Sequence, residues 1–334
     1  MVYIYKKPIG NKSYYYLRAS SKKGKKLVTK DIAYLGSSID EVKLSLDKLS
    51  EHKDQIRKSY NVINSFLESN HFLEKAKELK LKKDEFLGEK TEEIEACKLH
   101  HLKVFDKLDN LTKRETLKNY VIEFAYNTAS IEGNTINLEE ARNLLNEGIT
   151  PKDKTLREIY DLQNTEKVFF EILDDKLKPE LTHELIIEIH DNLLKNIDAR
   201  LGYRTTDVRV VKSNFEATPG KYVKTDMDLL LKWFKENEKK LHPLVLATIF
   251  HHKFEKVHPF MDGNGRTGRM LMNFMLLKSN VPPIIIHKKT RKEYLEGMRE
   301  ADKGDLWKID KSKYAQIISY CIEEFVYSYW SIFL

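Results

Sequence analysis

The spacing of apolar positions changes character near residue 36. Val2–Lys7, Ser13–Ser20 and Lys26–Leu35 are rich in Tyr, Val, Ile and Thr, residues that suit a pleated surface. Pro8–Gly10 and Ser21–Lys25 supply the turn chemistry between them. The pattern predicts a three-stranded antiparallel meander, too small to be stable alone and so packed on something else.

From Gly36 onward the apolar residues recur at helical spacing, through Val42, Leu46, Leu49, Ile56, Val62 and Phe66. Ser38 and Glu41 form a capping-box pattern at the start of this stretch. The Lys/Glu-rich segment near 74–95 reads as solvated helix and connection. Thr112-x-x-Glu115 opens a helix running towards Ser130, and Asn137-x-x-Glu140 opens the next. Further helical stretches follow near 152–173, 182–196 and 224–238. Two segments stand apart: Pro243–Phe254, and Met270–Leu277 with its run Met-Leu-Met-Asn-Phe-Met-Leu-Leu. Both are apolar on more than one face, which marks helices at the centre of a bundle.

Composition narrows the classes. The 334 residues are 41% hydrophobic and 33% charged, with only 13 Gly and 8 Pro, so a globular, helix-leaning protein is expected rather than a disordered one. Cys97 and Cys321 have neither pairing nor metal-ligand spacing, which suits a reducing compartment. With no signal-peptide core at Met1–Lys7 and no apolar run of about 18 residues, a cytoplasmic protein with no membrane partner is expected. The net charge of +7 is local: residues 1–30 hold nine Lys or Arg and no acid, and the remainder is slightly acidic. That patch interleaves basic residues with Tyr3, Tyr5, Tyr14, Tyr15 and Tyr16. It suits nucleic-acid binding, and equally a lysine-rich solvated face over a tyrosine core.

The chemistry is concentrated between the two buried helices, in His258-Pro259-Phe260-Met261-Asp262-Gly263-Asn264-Gly265-Arg266-Thr267-Gly268-Arg269. Pro259 stops the preceding helix. A Gly-rich turn leading into a helix N-terminus presents unpaired N–H groups, which is an anion site. Arg266 and Arg269 stand three apart in the first turn, where cations oppose the helix macrodipole by ~0.3–1 kcal/mol each. A polyanion reverses that penalty. Asp262 is a hard oxygen ligand suited to Mg²⁺, and His258 can accept a proton near neutral pH. Together these are the parts that phosphoryl-group chemistry needs. Each part alone has a plainer reading: a structural His, an ordinary turn, an Asp that forms a turn beside Gly. Gly263-x-Gly265-x-x-Gly268 matches the dinucleotide fingerprint, but it follows a helix and Pro282–Lys289 contains no acid. No Gly-Lys-Ser/Thr follows, which excludes a Walker A loop. His251, His252, His258 and Asp262 match no zinc spacing.

These twelve residues resemble the Fic family signature HPFx(D/E)GNGRxxR at every defined position, and the resemblance extends over about residues 100–330. It implies a mainly α helical bundle with a β-hairpin flap. The chain then divides into a basic Tyr-rich β module at 1–36, a helical accessory region at 37–99 and a Fic core at 100–334. The resemblance further implies AMP transfer from ATP to a Ser, Thr or Tyr hydroxyl of a protein, self-modification included, in a fold where homodimers are common. His258 becomes the general base and Asp262 the Mg²⁺ ligand. Gly263, Asn264 and Gly265 form the anion hole. Arg266 contacts the β-phosphate region and Arg269 the γ-phosphate.

Thr128-Ala129-Ser130-Ile131-Glu132-Gly133-Asn134 is similar to the family's inhibitory motif (S/T)xxxE(G/N). It also reads as a helix C-terminus with Gly133 as the cap residue. Glu132 ends a helix and Arg269 begins one, each with the wrong charge for the dipole, so pairing them relieves both. The expectation is that Glu132 holds Arg269 away from the γ-phosphate. Gly202–Val210 through Phe215 resembles the flap that holds a target segment beside the site. Arg291-Lys292-Glu293-Tyr294 resembles the adenine wall, and Tyr294 is equally readable as a core aromatic. Removal of AMP, or transfer of another nucleotide, by the same residues stays open.

Overall fold

The computed structural model describes residues 2–10, 12–23, 26–81, 84–208 and 216–334. Two compact units result: Met1–Leu81 with Glu95–His100 and Leu334, and Lys82–Ile94 with His101–Phe333. No helix among the described residues is long and apolar enough to cross a membrane.

In the first unit, β1 (Val2–Ile9), β2 (Lys12–Lys23) and β3 (Lys26–Gly36) form one antiparallel sheet in the order β1-β2-β3. The strands run longer than the sequence pattern predicts. Pro8 stays within β1 because β1 is an edge strand, where a missing N–H costs no ladder bond. One face buries Val2, Ile4, Tyr15, Leu17 and Leu35 against Ile39, Val42 and Leu46 of α1 (Ile39–Lys48) and Ile63 and Leu67 further on. The expected single helical run is broken after α1 into α2 (Lys53–Lys58) and α3 (Tyr60–Glu78). At the start of α1, Ser38 Oγ accepts from Glu41 N at 3.3 Å, while the Glu41 carboxylate takes the Ser37 N–H at 2.6 Å. α4 (Thr91–Lys103) follows.

Among its described residues the second unit is helical, with connecting turns and loops. α5 (Asn110–Ile131) begins two residues before Thr112, because the Asp109 carboxylate accepts from Leu111 N and Thr112 N. α6 (Leu138–Glu147) opens on the complete Asn137/Glu140 capping box. α7 (Leu156–Leu173) opens on another, Thr155 with Glu158. α8 (His183–Leu193) and α9 (Val223–Asn237) lead to α10 (Pro243–Val257) and α11 (Asn264–Lys278). α10 and α11 are apolar on more than one face because they are surrounded. α9, α11 and α13 (Lys311–Ile332) pack on α10, while α5, α7 and α8 pack on α11. α12 (Arg291–Ala301) lies against α13. The C-terminal aromatics pack internally: Phe333 meets Phe105, Tyr120 and Tyr329 with ring centroids 5.0–5.7 Å apart.

Candidate active site

The loop joining α10 to α11 carries the site. α10 ends at His258, whose backbone is left-handed (φ 52°). A non-glycine residue seldom holds this conformation, and such strain clusters at functional positions. The turn lets His258 Nδ1 donate to the Glu255 carbonyl at 3.3 Å. With the proton on Nδ1, Nε2 is the nitrogen able to accept another. Burial holds the imidazole below its ordinary pKa, assisted by Arg204, so it is neutral at pH 7.

Phe260 is fully buried and stacks on His190 with centroids 3.6 Å apart and planes 3° from parallel. The other side of the turn is closed by Asn264, whose amide accepts from Phe260 N and donates to Phe260 O, both at 2.9 Å. The Asn264 side chain thus braces the loop. What this residue presents to an anion is the backbone of the first turn of α11, where N–H groups lack intrahelical partners. Gly263 is left-handed (φ 77°), and a Cβ there would strike the Leu194 side chain.

Asp262 is the one acid of the loop and is partly exposed. Its Oδ1 accepts from Gly263 N at 2.7 Å and its Oδ2 pairs with Arg157. Burial pushes its carboxyl upward, but Arg266 and Arg157 outweigh that and hold it below the usual carboxylate range. Arg266 is buried between Asp161 and Asp262. Sequence reasoning missed Asp161: it sits inside α7 at an ordinary helical position, and only packing turns it towards Arg266.

Arg269 is buried more deeply. Its Nε donates to Thr128 Oγ1 at 2.8 Å, and its Nη2 donates to Thr128 O at 3.1 Å and Glu132 Oε1 at 2.7 Å. Thr128 and Glu132 are one helical turn apart on α5, so both reach the same guanidinium. The end of α5 is a Schellman cap: Gly133 N donates to Ser130 O at 3.2 Å and Asn134 N to Ala129 O at 3.1 Å. Gly133 takes φ 107° there. The Asn134 side chain does not reach Arg269. It accepts from Ile136 N and donates to Glu158 O, tying the cap to α7.

The Glu132 carboxylate also lies over Gly265, where a Cβ would lie only 2.1 Å from its Oε1. A carboxylate therefore occupies the approach to the N-terminus of α11, the position the sequence assigns to phosphate. Tyr294 is buried, its hydroxyl 2.6 Å from His251 Nε2. Burial raises that phenol well above its ordinary value. Below it, Gly268 packs so closely that a Cβ would lie 2.6 Å from His251 Nδ1 and 2.9 Å from Glu255 Oε1. Glu255 is the second group that sequence reasoning missed. Burial, with Glu132 nearby, pushes its carboxyl up to about 8.

Arg204 anchors the residues around the expected flap. Its backbone N–H donates to Pro259 O at 2.9 Å, and its guanidinium to the carbonyls of His258 and Thr206 at 2.7 Å and Thr218 at 2.5 Å. The hairpin expected through Phe215 runs across residues 209–215, which lie outside the described residues.

Residues 180–276 match the model of the Fic/DOC family. Among curated proteins the chain is similar to protein adenylyltransferase fic-1 of Caenorhabditis elegans, 31% identical over 207 residues, covering 60% of this chain and 41% of that protein. It is similar to protein adenylyltransferase Fic of Drosophila grimshawi, 33% identical over 207 residues, covering 59% and 41%. The chain thus spans about two fifths of the length of these relatives. Among solved structures, a Fic-domain-containing signaling protein from Bacteroides thetaiotaomicron superposes with TM-score 0.63 at 23% identity, covering 70% of this chain and 93% of that one. Fic-1 from C. elegans gives 0.58 at 22%, covering 87% and 81%. At these identities the structural likeness speaks to fold.

Proposed function

We propose, from the premise that residues 180–276 are a Fic/DOC-family domain, that this protein transfers AMP from ATP to a protein hydroxyl and is restrained by Glu132. The observation that carries the reading is the convergence on one helix N-terminus of a neutral His258, an ionised Asp262 and the guanidinium groups of Arg266 and Arg269. The names of the curated relatives support it.

In this reading the target hydroxyl oxygen attacks the α-phosphorus, and its proton passes to His258 Nε2. The bond from the α-phosphorus to the bridging oxygen breaks and pyrophosphate leaves. The backbone at Gly263, Asn264 and Gly265 binds phosphate oxygens. Arg266, oriented by Asp161, meets the β-phosphate region and Arg269 the γ-phosphate. Tyr294 walls the adenine side with its ring, its hydroxyl being tied to His251. Asp262 fits Mg²⁺: it is an ionised, partly exposed carboxylate, and this ion takes one or two carboxylates and completes its shell with phosphate oxygens and water. Bound there, Mg²⁺ supplies charge neutralisation on the phosphates. Arg157 must then yield Asp262.

Glu132 restrains transfer in two ways on this reading. It pairs with Arg269, and its carboxylate lies over Gly265 where phosphate approaches. ATP then binds without its γ-phosphate seated, and the α-phosphorus is not presented to the hydroxyl. One observation also favours the reverse reaction: Glu132 is 44% exposed, so its carboxylate can hold a water as well as an arginine. Removal of AMP from a modified protein is therefore the second reading.

The test is intact-mass measurement of wild type, Glu132→Gly and His258→Ala after incubation with Mg²⁺ and each nucleoside triphosphate. An AMP adduct strong on Glu132→Gly, weak on wild type and absent on His258→Ala is the expected result. An adduct from UTP or CTP instead would keep the site and change the nucleotide. No adduct on the protein itself or on proteins of a cell extract, with any nucleotide, would overturn transfer in favour of removal.

A further inference from the structure

The nucleotidyl-transfer reading uses nothing in the N-terminal sheet, and the two faces of that sheet differ sharply. Directly paired residues on neighbouring strands share a face. Tyr3 pairs with Arg18 and Arg18 with Asp31; Tyr5 pairs with Tyr16 and Tyr16 with Tyr34; Lys7 pairs with Tyr14. Five tyrosines therefore stand on the face opposite to Val2, Ile4, Tyr15 and Leu17, which form the core.

Three of the rings adjoin one another, with planes tilted by 41° between Tyr14 and Tyr34 and 58° between Tyr16 and Tyr34. Tyr34 lies 6.4 Å from Tyr14 and 5.4 Å from Tyr16, centroid to centroid. The Arg18 guanidinium lies 3.5 Å over the Tyr5 ring and is held there by Asp31, at 2.5 Å from Nε. Tyr34 is 54% exposed. The solvated face of an antiparallel sheet ordinarily alternates to polar side chains. Here it presents flat aromatic and guanidinium planes instead. Lys7, Lys12 and Lys22 occupy outer-face positions around the platform and are exposed. Asp31, its one acid, is already paired with Arg18.

We propose that this outer face binds single-stranded nucleic acid, with bases stacked on the Tyr14–Tyr16–Tyr34 platform and phosphates running to the surrounding lysines. Stacking planes on a sheet and flanking cations are the two elements that sequence-tolerant single-strand binding requires. Both charge and shape select this occupant. An acidic peptide would satisfy the lysines but leave the aromatic planes unused. A duplex keeps its base faces stacked internally and offers the platform only its backbone.

The test uses the full chain and the anisotropy of a labelled dT12 strand, the same strand as a duplex, and a poly-glutamate peptide of equal charge. Tight binding of the single strand is expected, with an affinity that falls as salt rises, by a log–log slope of about −0.7 per phosphate contacted. Tyr14→Ser with Tyr34→Ser is expected to weaken binding by about 10-fold or more, since a stacked base contributes a factor of that order. Tyr34→Phe keeps the ring and should bind as wild type, which separates stacking from any change in folding. Lys7→Glu with Lys22→Glu should weaken binding and flatten the salt dependence. The proposal is overturned by equal affinity for duplex or peptide, by an unchanged affinity of the tyrosine pair, or by no binding at low salt. Adenylyl transfer is read separately and neither result depends on the other.

Discussion

Glu132 and Arg269 meet at 2.7 Å across 137 residues of chain, with the guanidinium side chain 3% exposed and the carboxylate 44%. The asymmetry matters. Arg269 keeps Thr128 Oγ1 and Thr128 O as further partners, so its N–H groups stay partly satisfied when the carboxylate leaves, while its buried charge then calls for another anion. Burial alone would lower the Arg269 pKa, yet Glu132 holds it above its ordinary value. On the proposed reading, phosphate takes the place of the carboxylate on Arg269.

Replacing Glu132 tests that exchange. Glu132→Gly is expected to raise AMP transfer at least 10-fold, because Arg269 and the Gly265 approach both become available. Without nucleotide the variant should lose about 1–3 kcal/mol, because the buried Arg269 keeps its bonds to Thr128 but loses its counter-charge. Initial rates and a melting curve check both; unchanged transfer with normal folding would sink the restraint.

On the proposed reading, His258 sets the acid limb of the reaction. Burial, with Arg204 nearby, favours the neutral imidazole and places its pKa below the ordinary 6.5. The base form therefore persists on acidification, and the transfer rate of Glu132→Gly should hold from pH 8 to pH 6.5 and fall only below that. A rate already halved at pH 7 would contradict a buried, neutral base. His258→Ala should lose transfer by a factor of about 10² or more.

Glu255 should make the protein less stable as pH rises. Burial raises its carboxyl to about 8 when folded, from the ordinary 4.5, so the folded state binds more protons across that interval. Stability is then lost progressively between pH 4.5 and about 8. Glu255→Gln, which is neutral throughout, should flatten this dependence and melt several degrees higher than wild type at pH 8.5. Parallel melting curves of the two proteins from pH 5 to pH 8.5 would refute the buried acid.

Arg204 should behave as a structural hub. Its guanidinium serves carbonyls on both sides of the segment between Thr206 and Thr218, and on His258. Arg204→Lys cannot match that fork, and several buried carbonyls lose their donors. A loss of about 2–4 kcal/mol is expected from such a change. Limited proteolysis should then cut first between residues 206 and 218. Unaltered stability and cleavage pattern would show that the carbonyls find other donors.

The primary structure alone determined the loop and its setting. A twelve-residue pattern between two helices apolar on more than one face is local information, since both the turn and the buried flanks follow from neighbouring residues. Asn137 with Glu140 marked a helix start correctly for the same reason. Pairing of Glu132 with Arg269 was also legible, because each breaks a charge rule of its own helix end. One start was displaced. α5 begins at Asn110, not Thr112, because the Asp109 side chain caps it, and a single aspartate among polar residues gives little warning.

Only the tertiary structure decided the rest. Asp161, Glu255 and His251 sit at unremarkable helical positions, and nothing in their spacing says that packing will turn them towards Arg266, Gly268 and Tyr294. The Asn264 side chain was expected at the anion, yet it closes the loop on Phe260; the same residue type serves either purpose, and the path of the turn selects one. The tyrosines of the N-terminal sheet were visible as a count. Which of them share a face depends on strand register, and two irregularities in the β2–β3 pairing settle that Tyr34 stands beside Tyr16. Local periodicity is written in neighbouring residues, whereas these contacts join residues far apart in the chain and exist only once the helices and strands have packed.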